Sequence, residues 1–254
     1  MQQFPGRSLS LLIILALARP AGAEGVSVAA AANLVYVLEP LNAAFVKECP
    51  GVVVTSEIGA SGSLVAQIKN GAPYDVFLSA DMEYPHMLIQ AGGADAASLA
   101  AFARGKLVLW TTKPRLSLPS VESVVRDAAV VKLAVANPAA APYGRAAMQA
   151  LARLGLSDVA NAKLVYGENI TQTAQFVSSG NAEAGFVALS LVLSPKLKEK
   201  GVWIEVPEAL YDPIEQGGVL TTRGAGNPAA RRYLDFLRST AAQKVLATFG
   251  YAQP

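Results

Sequence analysis

Cysteine and histidine are almost missing from this sequence, which contains one of each, Cys49 and His86. A single cysteine excludes an internal disulfide bond. One cysteine and one histidine also lack the ligand spacing of a zinc site. A Ser-His-Asp hydrolase would have to use His86, which follows Pro85 in a predicted helix and is expected at the surface. A serine hydrolase is therefore a less favoured alternative.

Charged residues are also few, at 16% of the 254 residues, while 52% of the residues are hydrophobic. Part of this bias comes from residues 1–23, which combine Arg7, an apolar run over residues 9–18 and the small-residue pattern Ala21-Gly22-Ala23. This combination is typical of a cleaved signal peptide and is too short to span a membrane. We therefore expect a periplasmic chain, without a lipid anchor because Cys49 lies far from the cleavage point.

The expected mature chain has no net charge. Residues 1–23 contain two basic residues, Arg7 and Arg19, and no acidic ones, so 19 basic and 19 acidic residues are left. Nucleic acid and anionic membranes are poor partners for a neutral chain. No later run approaches the roughly 20 apolar residues of a spanning helix. These features predict a soluble protein, and we expect a monomer.

Strand-like and helix-like segments alternate along the rest of the chain. Strands are predicted at residues 26–31, 52–56, 74–79, 106–111, 132–136, 163–166, 184–189, 202–206 and 218–222. Helices are predicted at residues 34–47, 64–70, 82–90, 145–154, 170–177, 228–237 and 241–249. Pro40 indicates a kink or a late start in the first of these helices. This alternation predicts an α/β fold with parallel sheets that are covered on both faces.

Four predicted strands end in small or polar turns that lead into helices, at Asn33, Ser61, Tyr143 and Ile170. The first N–H groups of a helix are unpaired and its dipole is positive there, so each turn can hold part of an anion. Ligands of open α/β sheets lie beyond the carboxyl ends of the strands. One such turn is more often an ordinary helix cap. Two turns in each half of the chain predict an anion in a cleft between the halves.

Four segments in this order resemble the periplasmic molybdate-binding proteins: Ala30-Ala31-Ala32-Asn33-Leu34, Gly59-Ala60-Ser61-Gly62-Ser63-Leu64, Gly71-Ala72-Pro73-Tyr74-Asp75-Val76-Phe77-Leu78-Ser79-Ala80-Asp81, and Asn137-Pro138 leading to Pro142-Tyr143-Gly144. The resemblance extends over residues 26–251 and includes the closing Thr248-Phe249-Gly250-Tyr251. Members of this family are extracytoplasmic receptors of ATP-driven molybdate importers. The resemblance implies a type II-like periplasmic binding protein with two α/β lobes and the ligand in the interlobe cleft.

The resemblance also implies the role of the protein and the residues of its site. It implies capture of molybdate or tungstate and delivery to the membrane permease of an ABC importer, with no cofactor and no catalysis. Lobe I would comprise residues 24–107 and 211–254, and lobe II residues 108–210. Molybdenum would be bound only as its oxyanion, by five residues: Ala32, Asn33, Ser61, Tyr143 and Ile170. Asn33 stands where many members have serine, and Ala188 where some have a tyrosine ligand.

The chemistry of these turns distinguishes one anion from another. Fully ionised molybdate only accepts hydrogen bonds, so neutral amides and hydroxyls suit it. Protonated phosphate needs an acceptor as well, and Asp81 and Glu168 lie close to the turns, although we expect both to be caps or structural groups. A carboxylate ligand needs an arginine, and Arg145 is the one candidate, which we expect to be solvated. A receptor for sulfate, phosphate or a carboxylate is the alternative.

Overall fold

The computed structural model describes residues 24–254, and the predicted signal peptide lies outside the described residues. This part of the chain contains strands β1 (Glu24–Ala31), β2 (Val52–Gly59), β3 (Val76–Ser79), β4 (Ala100–Gly105), β5 (Leu107–Thr111), β6 (Leu133–Ala136), β7 (Leu164–Gly167), β8 (Ala184–Ala188), β9 (Val202–Glu205) and β10 (Ile214–Leu220).

The helices of the described chain are α1 (Leu38–Glu48), α2 (Ser61–Lys69), α3 (Glu83–Gln90), α4 (Val121–Arg126), α5 (Pro142–Arg153), α6 (Ser157–Asn161), α7 (Ile170–Ser178), α8 (Leu189–Val192), α9 (Pro228–Phe236) and α10 (Thr240–Thr248). Short 3₁₀ helices lie at Ala32–Leu34, Ala96–Ser98, Glu208–Leu210 and Gly224–Gly226.

The strands form two five-stranded sheets, with the orders β2-β1-β3-β10-β4 and β7-β6-β8-β5-β9. The predicted α/β architecture of two lobes is confirmed, but the prediction of parallel sheets is wrong, because both sheets are mixed. β10 runs antiparallel to β3 and β4, and β5 runs antiparallel to β8 and β9. Both β5 and β10 enter their sheets from the other lobe, and not after a helical crossover of the kind that parallel pairing requires.

Each sheet defines one lobe, which we call lobe I for the first sheet and lobe II for the second. The chain leaves lobe I between β4 and β5 and returns between β9 and β10. The boundaries predicted at 107/108 and 210/211 lie at or near these two connections, and they remain a proposal.

Successive residues of β1 pack on opposite faces of the lobe I sheet. Val28 belongs to a buried cluster with Leu41 and Tyr233, whereas Ala29 belongs to a separate cluster with Leu64. This is the period-two alternation of a strand that is covered on both sides. The carboxyl end of β1 is therefore held between two layers of helices, in a fixed position at the cleft.

Several helices begin elsewhere than the sequence predicts. The predicted helix at 34–47 starts at Leu38, which is the late start that Pro40 indicated, and Pro40 lies in its first turn, where proline is tolerated. α2 starts at Ser61 and α5 at Pro142, both three residues earlier than predicted. These earlier starts place Ser61 and Tyr143 in the first turn of a helix, next to the cleft. Four elements that the sequence did not reveal are β4, α4, α6 and α8.

Candidate functional site

A small cavity lies between the two lobes, where β1, β2, β6 and β7 end, and the volume open to the centre of a water-sized sphere is about 10 Å³. All five predicted site residues line it. The complete wall is Ala31, Ala32, Asn33, Gly59, Ala60, Ser61, Ala80, Ala141, Pro142, Tyr143, Asn169 and Ile170. None of these residues has a charged side chain. The structure thus brings together four turns that the sequence had placed in separate halves of the chain.

Backbone N–H groups at the helix starts are the free donors of this cavity. α2, α5 and α7 all begin at its wall, and the Ala32–Leu34 3₁₀ helix supplies the fourth turn. The N–H groups of Asn33, Ser61, Tyr143 and Ile170 donate no hydrogen bond in the turns and caps of the described chain. This follows from their position, because the first N–H groups of a helix have no carbonyl one turn earlier.

Glycine allows two of these helix starts to approach their neighbours closely. A methyl group on Gly144, in the first turn of α5, would lie 2.1 Å from the Ala136 carbonyl oxygen at the end of β6. A methyl group on Gly62, in the first turn of α2, would lie 2.7 Å from the Tyr84 hydroxyl. Gly144 therefore requires glycine, because the Ala136 carbonyl belongs to the backbone, whereas a larger residue at position 62 would have to displace the Tyr84 side chain.

Ser61 adds a side-chain donor to the cavity. Its hydroxyl oxygen accepts a hydrogen bond from the Ala80 N–H at 3.1 Å, and the residue is only 1% exposed. The hydroxyl hydrogen makes no contact of its own within the described residues. A serine hydroxyl can accept and donate at once, so Ser61 is held by its acceptor side and can donate to a ligand.

Three acceptors next to the cavity, in contrast, are already paired. The Ala32 carbonyl accepts from the Thr171 hydroxyl at 2.9 Å, and the Ala140 carbonyl accepts from the Gly62 N–H at 3.0 Å. The Asn169 side-chain oxygen caps α7 by accepting from two N–H groups, both at 3.0 Å. Free donors combined with occupied acceptors suit a ligand whose surface consists of acceptors.

The Asn33 side chain does not cap a helix and is directed into a buried network. Its Nδ2 donates to Gln216 Oε1 and to the Tyr251 hydroxyl, both at 2.7 Å. Its Oδ1 has no partner in the described chain. Asn33 therefore presents its backbone N–H to the cavity, while its side chain joins a buried network. Sequence reasoning missed Gln216 altogether, and noted Tyr251 only as part of the closing motif.

The Tyr143 phenol lies beside a connection between the lobes. Its hydroxyl is buried without a partner in the described chain, and a methyl group on Gly105 would lie 2.0 Å from it. Burial raises the pKa of Tyr143 well above its usual value, and the nearby Tyr251 and Tyr211 add to this. Gly105 ends β4 and is not part of the cavity wall, so the phenol is directed at the connection. Ala188 is fully buried at the end of β8 and does not line the cavity.

Arg145 joins the two lobes and is not the solvated residue that we expected. Its guanidinium pairs with Asp81 and, at 3.2 Å, with Glu83, and it lies 5.0 Å from the centre of the Tyr84 ring. The Tyr84 hydroxyl donates to the Ala139 carbonyl at 3.0 Å. We call Asp81, Glu83, Tyr84 and Arg145 the interlobe clasp. Since Arg145 already has two carboxylate partners, it is not available for a carboxylate ligand.

Neither of the two suspected carboxylates faces the cavity. Asp81 Oδ1 accepts from the Tyr84 N–H at 3.1 Å and from the Ser79 hydroxyl at 2.9 Å, so Asp81 is the structural cap that we expected. Burial raises its pKa, although the Tyr84 N–H and the Arg145 charge oppose the rise. Glu168 is exposed and is absent from the cavity wall. A protonated ligand would therefore find no carboxylate acceptor here.

The remaining reactive side chains lie elsewhere. His86 is exposed on α3, as expected, and Cys49 is a half-buried free thiol. Within residues 24–254, no three His, Cys, Asp or Glu side chains are grouped to hold a metal ion. Among the helices of the same part of the chain, none has the length and apolar character needed to cross a bilayer.

Comparison with known proteins assigns this architecture to a family. Residues 26–252 match the bacterial extracellular solute-binding proteins. The molybdate-binding protein ModA of Azotobacter vinelandii is 43% identical, over 96% of this chain and 98% of its own, and that of Rhodobacter capsulatus is 38% identical over 99% of both. The structure of the Azotobacter vinelandii periplasmic molybdate-binding protein has a TM-score of 0.84 and 35% identity, over 90% of this chain and 99% of its own. The chain therefore belongs to the bacterial extracellular solute-binding protein family.

Proposed function

We propose that this protein captures molybdate or tungstate in the interlobe cavity and delivers it to the permease of an ABC importer. The observation that supports this most strongly is the set of free backbone N–H donors that four helix starts direct at one cavity without a charged side chain. A fully ionised tetrahedral oxyanion has four acceptor oxygens and no proton to donate. The relatives at 43% and 38% identity carry the name molybdate-binding protein, which agrees with this chemistry.

In the proposed complex, each lobe supplies donors to the anion. Asn33 and Ser61 contribute their backbone N–H groups from lobe I, and Ser61 adds its hydroxyl. Tyr143 and Ile170 contribute backbone N–H groups from lobe II, and Ala32 completes the wall of the first turn. The positive dipole ends of α2, α5 and α7 balance part of the double negative charge, so the wall needs no charged side chain.

The proposed transport role includes export of the chain. Removal of residues 1–23 would leave a soluble monomer in the periplasm, where it could collect the oxyanion and dock on the membrane permease. This places the protein outside the cytoplasmic membrane, in agreement with its extracellular solute-binding family.

Thermal unfolding with a panel of tetrahedral anions tests the proposed ligand. A ligand that binds only the native chain stabilises it by about 2.7 kcal/mol at a concentration of one hundred times its Kd. We expect sodium molybdate and sodium tungstate each to raise the Tm. Sulfate should raise it much less, because it is smaller than the heavier anions.

Phosphate is the most informative member of this panel. Its protonated form would place a donor against a wall that offers no carboxylate acceptor, so we expect no shift in Tm. A shift with phosphate that equals or exceeds the shift with molybdate would overturn the proposal in favour of a phosphate receptor. Isothermal titration of each anion then measures the affinity directly.

A further inference from the structure

Four polar side chains behind the cavity form a network that the proposed anion contacts do not include. They are Asn33, Ser190, Gln216 and Tyr251, which are between 0% and 6% exposed. Buried polar groups require hydrogen-bond partners, so a network of this kind fixes the positions of its members. We call these four residues the Asn33 network.

The side-chain nitrogen and the backbone carbonyl of Asn33 are both held in this network. Its side-chain Nδ2 donates to Gln216 and to the Tyr251 hydroxyl, and its backbone carbonyl accepts from the Ser190 hydroxyl at 2.8 Å and from the Tyr251 hydroxyl at 3.1 Å. An amide nitrogen has two hydrogens and a carbonyl has two lone pairs, so both groups are saturated. The backbone N–H is then the free donor of Asn33, and it belongs to the cavity wall.

Gln216 has only one orientation that satisfies its surroundings. Its Nε2 donates to the Ile214 carbonyl at 3.1 Å and to the Ala80 carbonyl at 3.4 Å. Its Oε1 must therefore face Asn33, which in turn must present Nδ2. These two carbonyls thus determine the direction of the hydrogen bond between Gln216 and the Asn33 side chain.

Tyr251 connects the two lobes through this network. Its hydroxyl contacts the side-chain Nδ2 and the backbone carbonyl of Asn33, which belongs to lobe I. It also lies 3.2 Å from the hydroxyl of Ser190, which belongs to α8 of lobe II. The contact between Ser190 and the Asn33 carbonyl also crosses from lobe II to lobe I. The first anion-binding turn is thus joined to the opposite lobe when the lobes are together.

We propose that Tyr251 is a positioning residue for anion binding: its hydroxyl holds the Asn33 turn so that the Asn33 N–H points into the cavity. This inference rests on the proposed function, since it concerns the same cavity. It also gives a role to the closing segment 248–251, which none of the anion contacts explains. Tyr251 itself does not line the cavity and acts through Asn33.

A pair of tyrosine variants tests this role. Tyr251→Phe removes only the hydroxyl, and Tyr233→Phe is the matched control. Tyr233 is also buried in lobe I, and its hydroxyl donates to Asn42 Oδ1 at 2.7 Å, away from the cavity. Both variants lose a buried hydrogen bond, so both should lower the Tm of the ligand-free protein.

The affinity for molybdate separates positioning from a general loss of stability. Isothermal titration with sodium molybdate should show a Kd about fivefold to tenfold higher for Tyr251→Phe, and an unchanged Kd for Tyr233→Phe. Ser190→Ala removes the donor from lobe II to the same carbonyl and should raise the Kd in the same direction. It serves as the second variant if Tyr251→Phe does not fold.

A double-mutant cycle shows whether Tyr251 acts through Asn33. Asn33→Ala removes Nδ2 but keeps the backbone N–H, so adding Tyr251→Phe should raise the Kd by a smaller factor than it does in the original chain. The inference would be overturned, and the proposed function left standing, by any of three results. These are full additivity of the two substitutions in their effect on Kd, an unchanged Kd in Tyr251→Phe, or an equal increase of Kd in Tyr233→Phe. An unmodified chain that binds no molybdate would overturn the proposed function, and this inference with it.

Discussion

At the scale of single residues, Ser61 and Tyr143 line the same cavity with different groups. The Ser61 hydroxyl can donate to the anion, whereas the Tyr143 hydroxyl lies beside Gly105. Ser61→Ala should therefore remove one charge-assisted hydrogen bond, worth about 1.5–3 kcal/mol. This corresponds to a roughly tenfold to hundredfold loss of molybdate affinity in isothermal titration.

Two further substitutions serve as controls for this prediction. Tyr143→Phe keeps the backbone N–H and removes a hydroxyl that has no partner in the described chain, so its affinity should change little and its Tm should not fall. Ser61→Asp should bind worse than Ser61→Ala, because it places a carboxylate against an anion. If Tyr143→Phe weakens binding as much as Ser61→Ala, the phenol is a ligand and the proposed donor set is wrong.

The buried carboxyl of Asp81 predicts a particular pH dependence of stability. Burial raises its pKa in the folded chain above the ordinary value, so the native state takes up a proton more readily than the unfolded state. The resulting stabilisation is complete below the unfolded pKa of about 3.9 and is lost as the pH rises through the higher folded value. The free energy of unfolding of the original chain, minus that of Asp81→Asn, should therefore decrease with rising pH across this window.

Asp212 is a control, because its pKa shift and the resulting pH dependence of stability have the opposite sign to those of Asp81. Hydrogen bonds from Arg153 and Gln149 lower the pKa of Asp212 below its ordinary value. Its contribution to stability is therefore present above the unfolded pKa and is lost as the pH falls through the lower folded value. Urea unfolding of both aspartate-to-asparagine variants from pH 3 to pH 7 measures the two slopes. If the difference in free energy of unfolding changed with pH in the same direction for both aspartates, burial could not be the dominant effect on the pKa of Asp81.

At the scale of elements, α5 contributes one arginine to the interlobe clasp and another to an exposed ion pair. Arg145 contacts Asp81 of lobe I, whereas Arg153 pairs at 2.6 Å with Asp212, which is largely exposed. The clasp contact forms only when the lobes are together. Arg145→Gln should therefore increase the dissociation rate of molybdate by roughly tenfold, because a largely buried carboxylate loses its charged partner, while the association rate changes little.

Arg153→Gln is the matched control, since it makes the same change on the same helix. Exposed ion pairs contribute at most about 1 kcal/mol, and Asp212 is largely exposed in the connection between β9 and β10, so the dissociation rate should change little. Stopped-flow displacement of bound molybdate by excess tungstate measures the dissociation rate of each variant, and direct mixing with molybdate measures its association rate. An Arg145→Gln variant that slows association and leaves dissociation unchanged would contradict a clasp that acts after closure.

At the scale of the whole molecule, both lobes contribute to the cavity wall, so we expect their separation to ease entry of the anion. The lobes meet through the Gly62–Ala140, Thr171–Ala32 and Ser190–Asn33 hydrogen bonds. We expect the ligand-free protein to populate a more open form, and molybdate to shift it to the closed form, because both lobes contact the anion.

Small-angle X-ray scattering with and without sodium molybdate tests this expectation. The radius of gyration should decrease when molybdate is added, and sodium chloride at equal ionic strength is the control. The decrease should be smaller for Arg145→Gln at subsaturating molybdate, since that variant loses a contact of the closed form. Identical scattering curves with and without molybdate would show that the cavity fills without closure.

Local properties of the backbone allowed the sequence to predict most of the candidate site. The N–H groups at the start of a helix are unpaired whatever surrounds the helix, so a small turn between a strand and a helix marks a donor site in any fold. Ser61, Tyr143 and Ile170 were found in this way, and the structure places all of them on one cavity. The carboxyl-end rule for α/β sheets then predicted that such turns meet.

Contacts between residues far apart in the chain were decided only by the tertiary structure. Arg145 and Asp81 are 64 positions apart, and Asn33 is 183 and 218 positions from Gln216 and Tyr251. Their pairing depends on β10 returning from lobe II to lie between β3 and β4, a strand order that no local pattern encodes. Helix starts are specified by the few residues next to them, whereas partners across the cleft are specified by the path of the whole chain.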